Sequence, residues 1–89
     1  MEKYYYPLND EWSHEEIVTV MNLWTKVEEA YEEGVDVESL STAYHKFKEV
    51  VPSIGEEKTL GREFEKVSGY SLYRVMQAAK QKDTGKLKM

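Results

Sequence analysis

Gly34-Val35-Asp36-Val37-Glu38-Ser39-Leu40-Ser41-Thr42-Ala43-Tyr44-His45-Lys46-Phe47-Lys48-Glu49-Val50-Val51-Pro52-Ser53-Ile54-Gly55-Glu56 holds one helix end, one whole helix and the start of another. Gly34 suits the position after a helix, where a left-handed residue is common. Asp36 suits an N-cap, because its carboxylate can accept from a backbone N–H of the first turn that has no partner within the helix. Leu40, Ala43, Tyr44, Phe47, Val50 and Val51 then recur at spacings that gather on one helical face. Val35 and Leu40 flank the cap as a hydrophobic staple. Pro52 ends the helix, since it disfavours helical geometry in the residue before it. Ser53 reopens one at once, with Glu56 completing the Ser-x-x-Glu capping box.

Working outward, Ser13-His14-Glu15-Glu16 is a second capping box. Ile17, Val20, Met21, Trp24, Val27 and Tyr31 follow it at helical spacing, and Trp12 with Ile17 makes a staple. The third helix is weaker. It relies on Leu60, Phe64 and Val67, and it contains Gly55 and Gly61, each costing roughly 1 kcal/mol relative to alanine. Gly61 is read as a place where another helix approaches. Gly69 fits the end of the third helix, and Ser71 caps a fourth carrying Leu72, Val75, Met76 and Ala79. Tyr70 and Val75 form its staple. The pattern predicts an all-α fold, a compact bundle of four helices over about 14–33, 37–51, 54–68 and 72–82. An extended aromatic N-terminal arm precedes them, with Pro7 holding Tyr6 extended. Residues 1–82 are expected to form one domain including the arm, and residues 83–89 a basic, flexible tail.

The chain has 89 residues, of which 33% are charged and 40% apolar, the balance of one soluble globular domain. Its net charge is −5, unevenly placed. Residues 74–89 set Arg74, Lys80, Lys82, Lys86 and Lys88 against Asp83, a net of +4, which leaves −9 for residues 1–73. An acidic body disfavours nucleic acid, because neutralising phosphate supplies most of that affinity. Cysteine is absent, which excludes disulfides, thiolate metal sites and thiol redox chemistry. No apolar run is long enough to span a bilayer, and Met1-Glu2-Lys3-Tyr4 lacks a secretory pattern. The expectation is an unprocessed cytoplasmic protein with no membrane partner.

No motif names a reaction. His14 and His45 fall on different helices, and Val18 stands where a second zinc-binding histidine of His-Glu-x-x-His would be. Gly55 and Gly61 are followed by no Gly-Lys-Ser/Thr, so a phosphate loop is excluded. No serine sits in Gly-x-Ser-x-Gly. The chain is therefore expected to be no enzyme and to hold no cofactor or metal.

Two surfaces stand out instead. Glu28, Glu29, Glu32 and Glu33 crowd the end of the first helix, where like charges four apart repel and acids oppose the helix dipole. Breaches of local rules often mark function. The run reads either as a solvated face or as a docking patch for a basic partner. It lacks the ligand ladder of a calcium loop. Seven tyrosines and two tryptophans also exceed what so small a core needs. Tyr4, Tyr5, Tyr6, Trp12, Tyr70 and Tyr73 are the candidates for exposure, and such residues are enriched in interface hot spots. The competing reading is an arm that simply covers the core. Ser68-Gly69-Tyr70-Ser71 also makes a tight corner before a basic helix carrying Arg74 and Gln77, as in helix-turn-helix proteins.

Three segments together resemble a known family. They are Tyr6-Pro7-Leu8 with Asp10-Glu11-Trp12-Ser13 and Glu15-Glu16-Ile17, then Tyr44-His45-Lys46-Phe47-Lys48-Glu49-Val50-Val51-Pro52-Ser53, then Phe64-Glu65-Lys66-Val67-Ser68-Gly69-Tyr70-Ser71-Leu72-Tyr73-Arg74. The chain resembles uncharacterised protein family (UPF) 0223 over nearly its whole length. The resemblance implies a short cytosolic bacterial protein with an all-helical fold, and it implies no reaction. The leading expectation is a small non-catalytic helical module that binds another protein. Its candidate partner-binding residues are Tyr4, Tyr5, Tyr6, Trp12, Glu28, Glu29, Glu32, Glu33, Tyr70, Tyr73 and Arg74. The alternative is a nucleic-acid-binding regulatory protein using the fourth helix. A homodimer paired through the tyrosine arm is a further expectation.

Overall fold

Each predicted cap does what its side chain allows. In a computed structural model describing residues 5–82 and 84–89, Ser13 Oγ accepts from the Glu16 N–H at 3.2 Å, and the Glu16 carboxylate accepts from the Ser13 N–H at 2.8 Å. Asp36 accepts from the Ser39 N–H at 3.0 Å. Ser53 and Ser71 accept from the N–H groups of Glu56 and Arg74, each at 3.2 Å. The four helices are α1 (His14–Glu32), α2 (Val37–Val50), α3 (Ile54–Ser68) and α4 (Leu72–Lys82). Two two-residue strands, β1 (Val35–Asp36) and β2 (Lys86–Leu87), complete the element order. The all-α class and the four helices are thus as the sequence predicts, with α1 and α2 each one residue shorter.

The core lies along α1, whose Val20, Leu23, Trp24, Val27 and Ala30 are buried. Leu40, Ala43 and Phe47 of α2 pack there, with Val51 just past its end. Leu60 and Phe64 of α3 and Leu72, Val75 and Ala79 of α4 close it. Trp24 joins three helices. Its ring stacks on Phe64 at 4.5 Å and 15°, and it meets Phe47 edge-on at 5.8 Å. Two expected core residues lie outside: Met21 is 38% exposed and Val67 43% exposed. Leu23 and Ala30 are buried instead, because α1 is covered by α2 on one flank and by the other elements on another, which rotates and widens its buried stripe.

Of the segment over residues 83–89 expected to be a basic, flexible tail, the described residues 84–89 carry β2. β2 pairs antiparallel with β1, placing Val35 opposite Leu87 and Asp36 opposite Lys86. Leu87 is buried. The Val37 N–H donates to the Gly85 carbonyl, and the Met89 N–H donates to the Ala30 carbonyl, both at 2.8 Å. That carbonyl belongs to the last turn of α1, which has no partner within the helix. One apolar residue among lysines has no periodicity, so its burial is invisible in sequence. Gly34 adopts φ +105°, and a Cβ there would lie 3.2 Å from Lys86 Cγ, so glycine serves both the turn and the strand beside it.

Gly61 is different. A Cβ on it would meet Leu72 Cδ2 at 3.9 Å, an ordinary van der Waals distance. The packing of α4 therefore does not require glycine here, contrary to the close approach expected from sequence. Gly61→Ala should raise stability by about 1 kcal/mol, through helix propensity, read as a higher urea midpoint at unchanged slope. Leu87→Ala should cost about 2 kcal/mol, whereas Lys88→Ala should stay within about 0.5 kcal/mol. Equal effects of the last two would show that β2 contributes nothing to the fold.

Candidate functional site

The acidic run at the end of α1 and the surplus tyrosines meet one another. The Tyr6 hydroxyl donates to Glu28 Oε1 at 2.7 Å, and the Tyr70 hydroxyl donates to Glu32 Oε2 at 2.7 Å. The Tyr70 ring stacks on Tyr31 at 4.5 Å and 10°. The Tyr31 hydroxyl in turn accepts from the Ser71 N–H at 3.2 Å, which roots the start of α4. Lys26 sits 3.8 Å from Glu29. Neutral phenols and one ammonium thus face three of the four crowded carboxylates, which offsets their mutual repulsion. Trp12 packs against the core and is only partly exposed. Tyr5 and Tyr73 are 93% and 71% exposed, and Arg74 is exposed on α4. Tyr4 lies outside the described residues. Glu33 is exposed just past α1, where its N–H donates to the Glu29 carbonyl.

A second site was not legible in sequence. Between α2, α3 and α4 runs an open groove of about 660 Å³. Leu72, Met76 and Tyr44 line it, with Gly61 on the α3 side. Ile54 and Tyr73, 67% and 71% exposed, stand on it as large uncovered apolar groups. Among the described sequence candidates, only Tyr73 belongs here. Its hydroxyl accepts from Gln77 Nε2 at 2.8 Å. The available signal was weak: Ile54 and Tyr73 are apolar residues lying off the buried stripes of their helices.

The charges on this groove are unequal. Glu57 accepts from the Tyr44 hydroxyl at 2.7 Å and pairs with Lys48, so its charge is spent within the fold. Burial, then the bond to Glu57, pushes the Tyr44 phenol well above its ordinary range. Lys58, Arg62 and Lys80 also line the groove and form no ion pair among the described residues. Glu65 is the one lining carboxylate similarly placed. The groove is therefore a locally cationic place on a chain of net charge −5. Among the described residues, no three His, Asp or Glu side chains gather as metal ligands, and no helix is long and apolar enough to cross a membrane.

The tyrosine–carboxylate bonds give the fold a limit in alkali. The hydrogen bond from Tyr70 to Glu32 raises the Tyr70 pKa above 10.0, with desolvation second. Burial raises that of Tyr6, opposed in part by Thr25 and aided by Glu28. A pKa raised on folding contributes stability that is complete below the unfolded value and is lost as pH climbs through the folded one. Urea stability should therefore fall as pH rises from neutral past about 10. A Tyr6→Phe/Tyr70→Phe double variant should be less stable at neutral pH and show a flatter decline. An unchanged decline would assign the alkaline limit to other groups.

A sequence model of the Uncharacterised protein family (UPF0223) matches residues 3–88. A UPF0223 protein of Enterococcus faecalis is 57% identical over 89 residues, covering 100% of this chain and 97% of that protein. A UPF0223 protein of Streptococcus pneumoniae is 54% identical over 87 residues, covering 98% of this chain and 95% of that protein.

Proposed function

This chain belongs to uncharacterised protein family UPF0223, and from that premise we propose that it is a small non-catalytic helical module of the cytoplasm that binds another protein through the α2–α3–α4 groove. The observation that carries this reading is the pair Ile54 and Tyr73, large apolar groups left uncovered beside a groove lined by Leu72 and Met76. Exposed apolar patches rimmed by polar groups mark interaction sites. Tyrosine is also among the residues enriched in hot spots. The acidic run becomes the weaker docking candidate, because Glu28 and Glu32 already accept hydrogen bonds from Tyr6 and Tyr70. Tyr5 and Arg74 remain as exposed outliers.

Nucleic-acid binding through α4 is the second reading, favoured by exposed Arg74 and the unpaired cations on the groove. The net charge of −5 works against it over any extended contact.

A photo-crosslinking side chain at position 54 or 73, introduced in living cells, should yield a discrete protein adduct that is absent with the same group at exposed Glu15. The adduct's partner, purified, should bind the wild-type chain and lose affinity at least roughly tenfold for Tyr73→Glu. Identical adducts from all three positions would remove the groove from consideration. A low-salt shift assay with mixed DNA and RNA decides the second reading, since low salt favours such contacts.

A further inference from the structure

We infer that the groove receives an acidic amphipathic helix of a partner protein, laid with its apolar face against Leu72, Met76 and Gly61 and its carboxylates toward Lys58, Arg62 and Lys80. This inference rests on the docking role proposed above and adds the chemistry of the occupant.

Charge argues first. Lys58 and Arg62 are four residues apart on α3, so they stand on one side of that helix. Lys80 comes from α4, across the groove. Cations on two walls flank an apolar floor, and none of the three forms an ion pair among the described residues. Of the two lining carboxylates, Glu57 is held by Tyr44 and Lys48, which leaves Glu65 alone against the three cations. An acidic segment is therefore attracted here and repelled by most of the remaining surface, which gives both orientation and selectivity. A basic segment meets the reverse.

Shape argues second. The walls are helices, and the small sheet among the described residues joins β1 to β2 away from the groove residues. Among the described residues, no strand edge lines the groove to template an extended peptide. Helix-in-groove docking, with apolar anchors at i, i+3, i+4 and i+7, is the mode that such walls support.

Gly61 argues third and independently of charge. It lies inside α3 at a cost of about 1 kcal/mol relative to alanine. The chain's own packing does not require it, since a Cβ would meet Leu72 at an ordinary 3.9 Å. It lines the groove beside Leu72, where a methyl group would add bulk under an incoming helix. Retaining a destabilising residue at a binding surface is a familiar exchange of stability for function.

The test is a selection from displayed peptides of about 16 residues, some 24 Å long as a helix, against the full-length chain at low salt. Affinities of the recovered peptides, made synthetically, are read by fluorescence anisotropy. The recovered peptides should carry Asp or Glu beside apolar residues at helical spacing. Binding should weaken at least roughly tenfold in Lys58→Glu/Arg62→Glu and fall with salt. Gly61→Ala should weaken binding several-fold while stabilising the fold, whereas Gly55→Ala, off the groove, should leave binding unchanged. Thermal melts confirm that each variant is folded.

Neutral or basic winners, or affinity indifferent to the charge reversal, overturn the acidic occupant. If those winners still depend on Tyr73, the docking role of the groove survives. Recovery of no peptide, or of peptides indifferent to Tyr73→Glu, overturns both. Sedimentation of the chain alone covers a second copy as occupant: a dimer dissolved by Tyr73→Glu would replace the partner helix and overturn the inference.

Discussion

The stacking of Phe64 on Trp24 holds the third helix to the rest of the molecule. Only Leu60 and Phe64 of α3 are buried, and Phe64 is the one that reaches the central tryptophan, at 4.5 Å. Trp24 is fully buried, and its indole N–H has no acceptor among the described residues. An unmet buried donor costs about 1–3 kcal/mol. Truncating a buried aromatic costs about 3–5 kcal/mol, so the ring's contacts outweigh the donor it strands. Tyr6 lies against the same Phe64 ring at 6.1 Å.

A helix held by so few side chains leaves its other face free. Its glycines lower its intrinsic stability, and its exposed residues are mostly charged. Ile54 and Gly61 lie on the groove side of α3, and with residues of α2 and α4 they line the groove. The groove is thus a consequence of where Phe64 anchors α3. Its cationic character follows from the Tyr44–Glu57–Lys48 network, which removes a carboxylate from the account and leaves Lys58, Arg62 and Lys80 facing the opening.

At the other end of α1, the crowded carboxylates and the tyrosines each resolve a difficulty of the other. Glu28 and Glu32 gain neutral donors, and Tyr6 and Tyr70 gain acceptors beside partly buried rings. A breach of local helix rules was reasonable grounds for suspecting a docking patch. The fold supplies a sufficient structural reason for two of those four glutamates, through contacts spanning 22 and 38 residues of sequence.

Sequence alone determined the four helices, because caps, staples, Pro52 and the apolar periods act within a few residues of one another. It also marked most of the core, since Val20, Trp24, Val27, Leu40, Phe47, Phe64 and Val75 lie on clear helical stripes and are buried. It placed Met21 and Val67 inside and missed Leu23, Ala30 and Leu87, because the width and rotation of a buried stripe depend on which neighbours cover it. Only the tertiary structure decided the β1–β2 pair, the tyrosine–carboxylate bonds and the groove. Each joins residues far apart in the chain, and local spacing carries no information about which distant surfaces will meet.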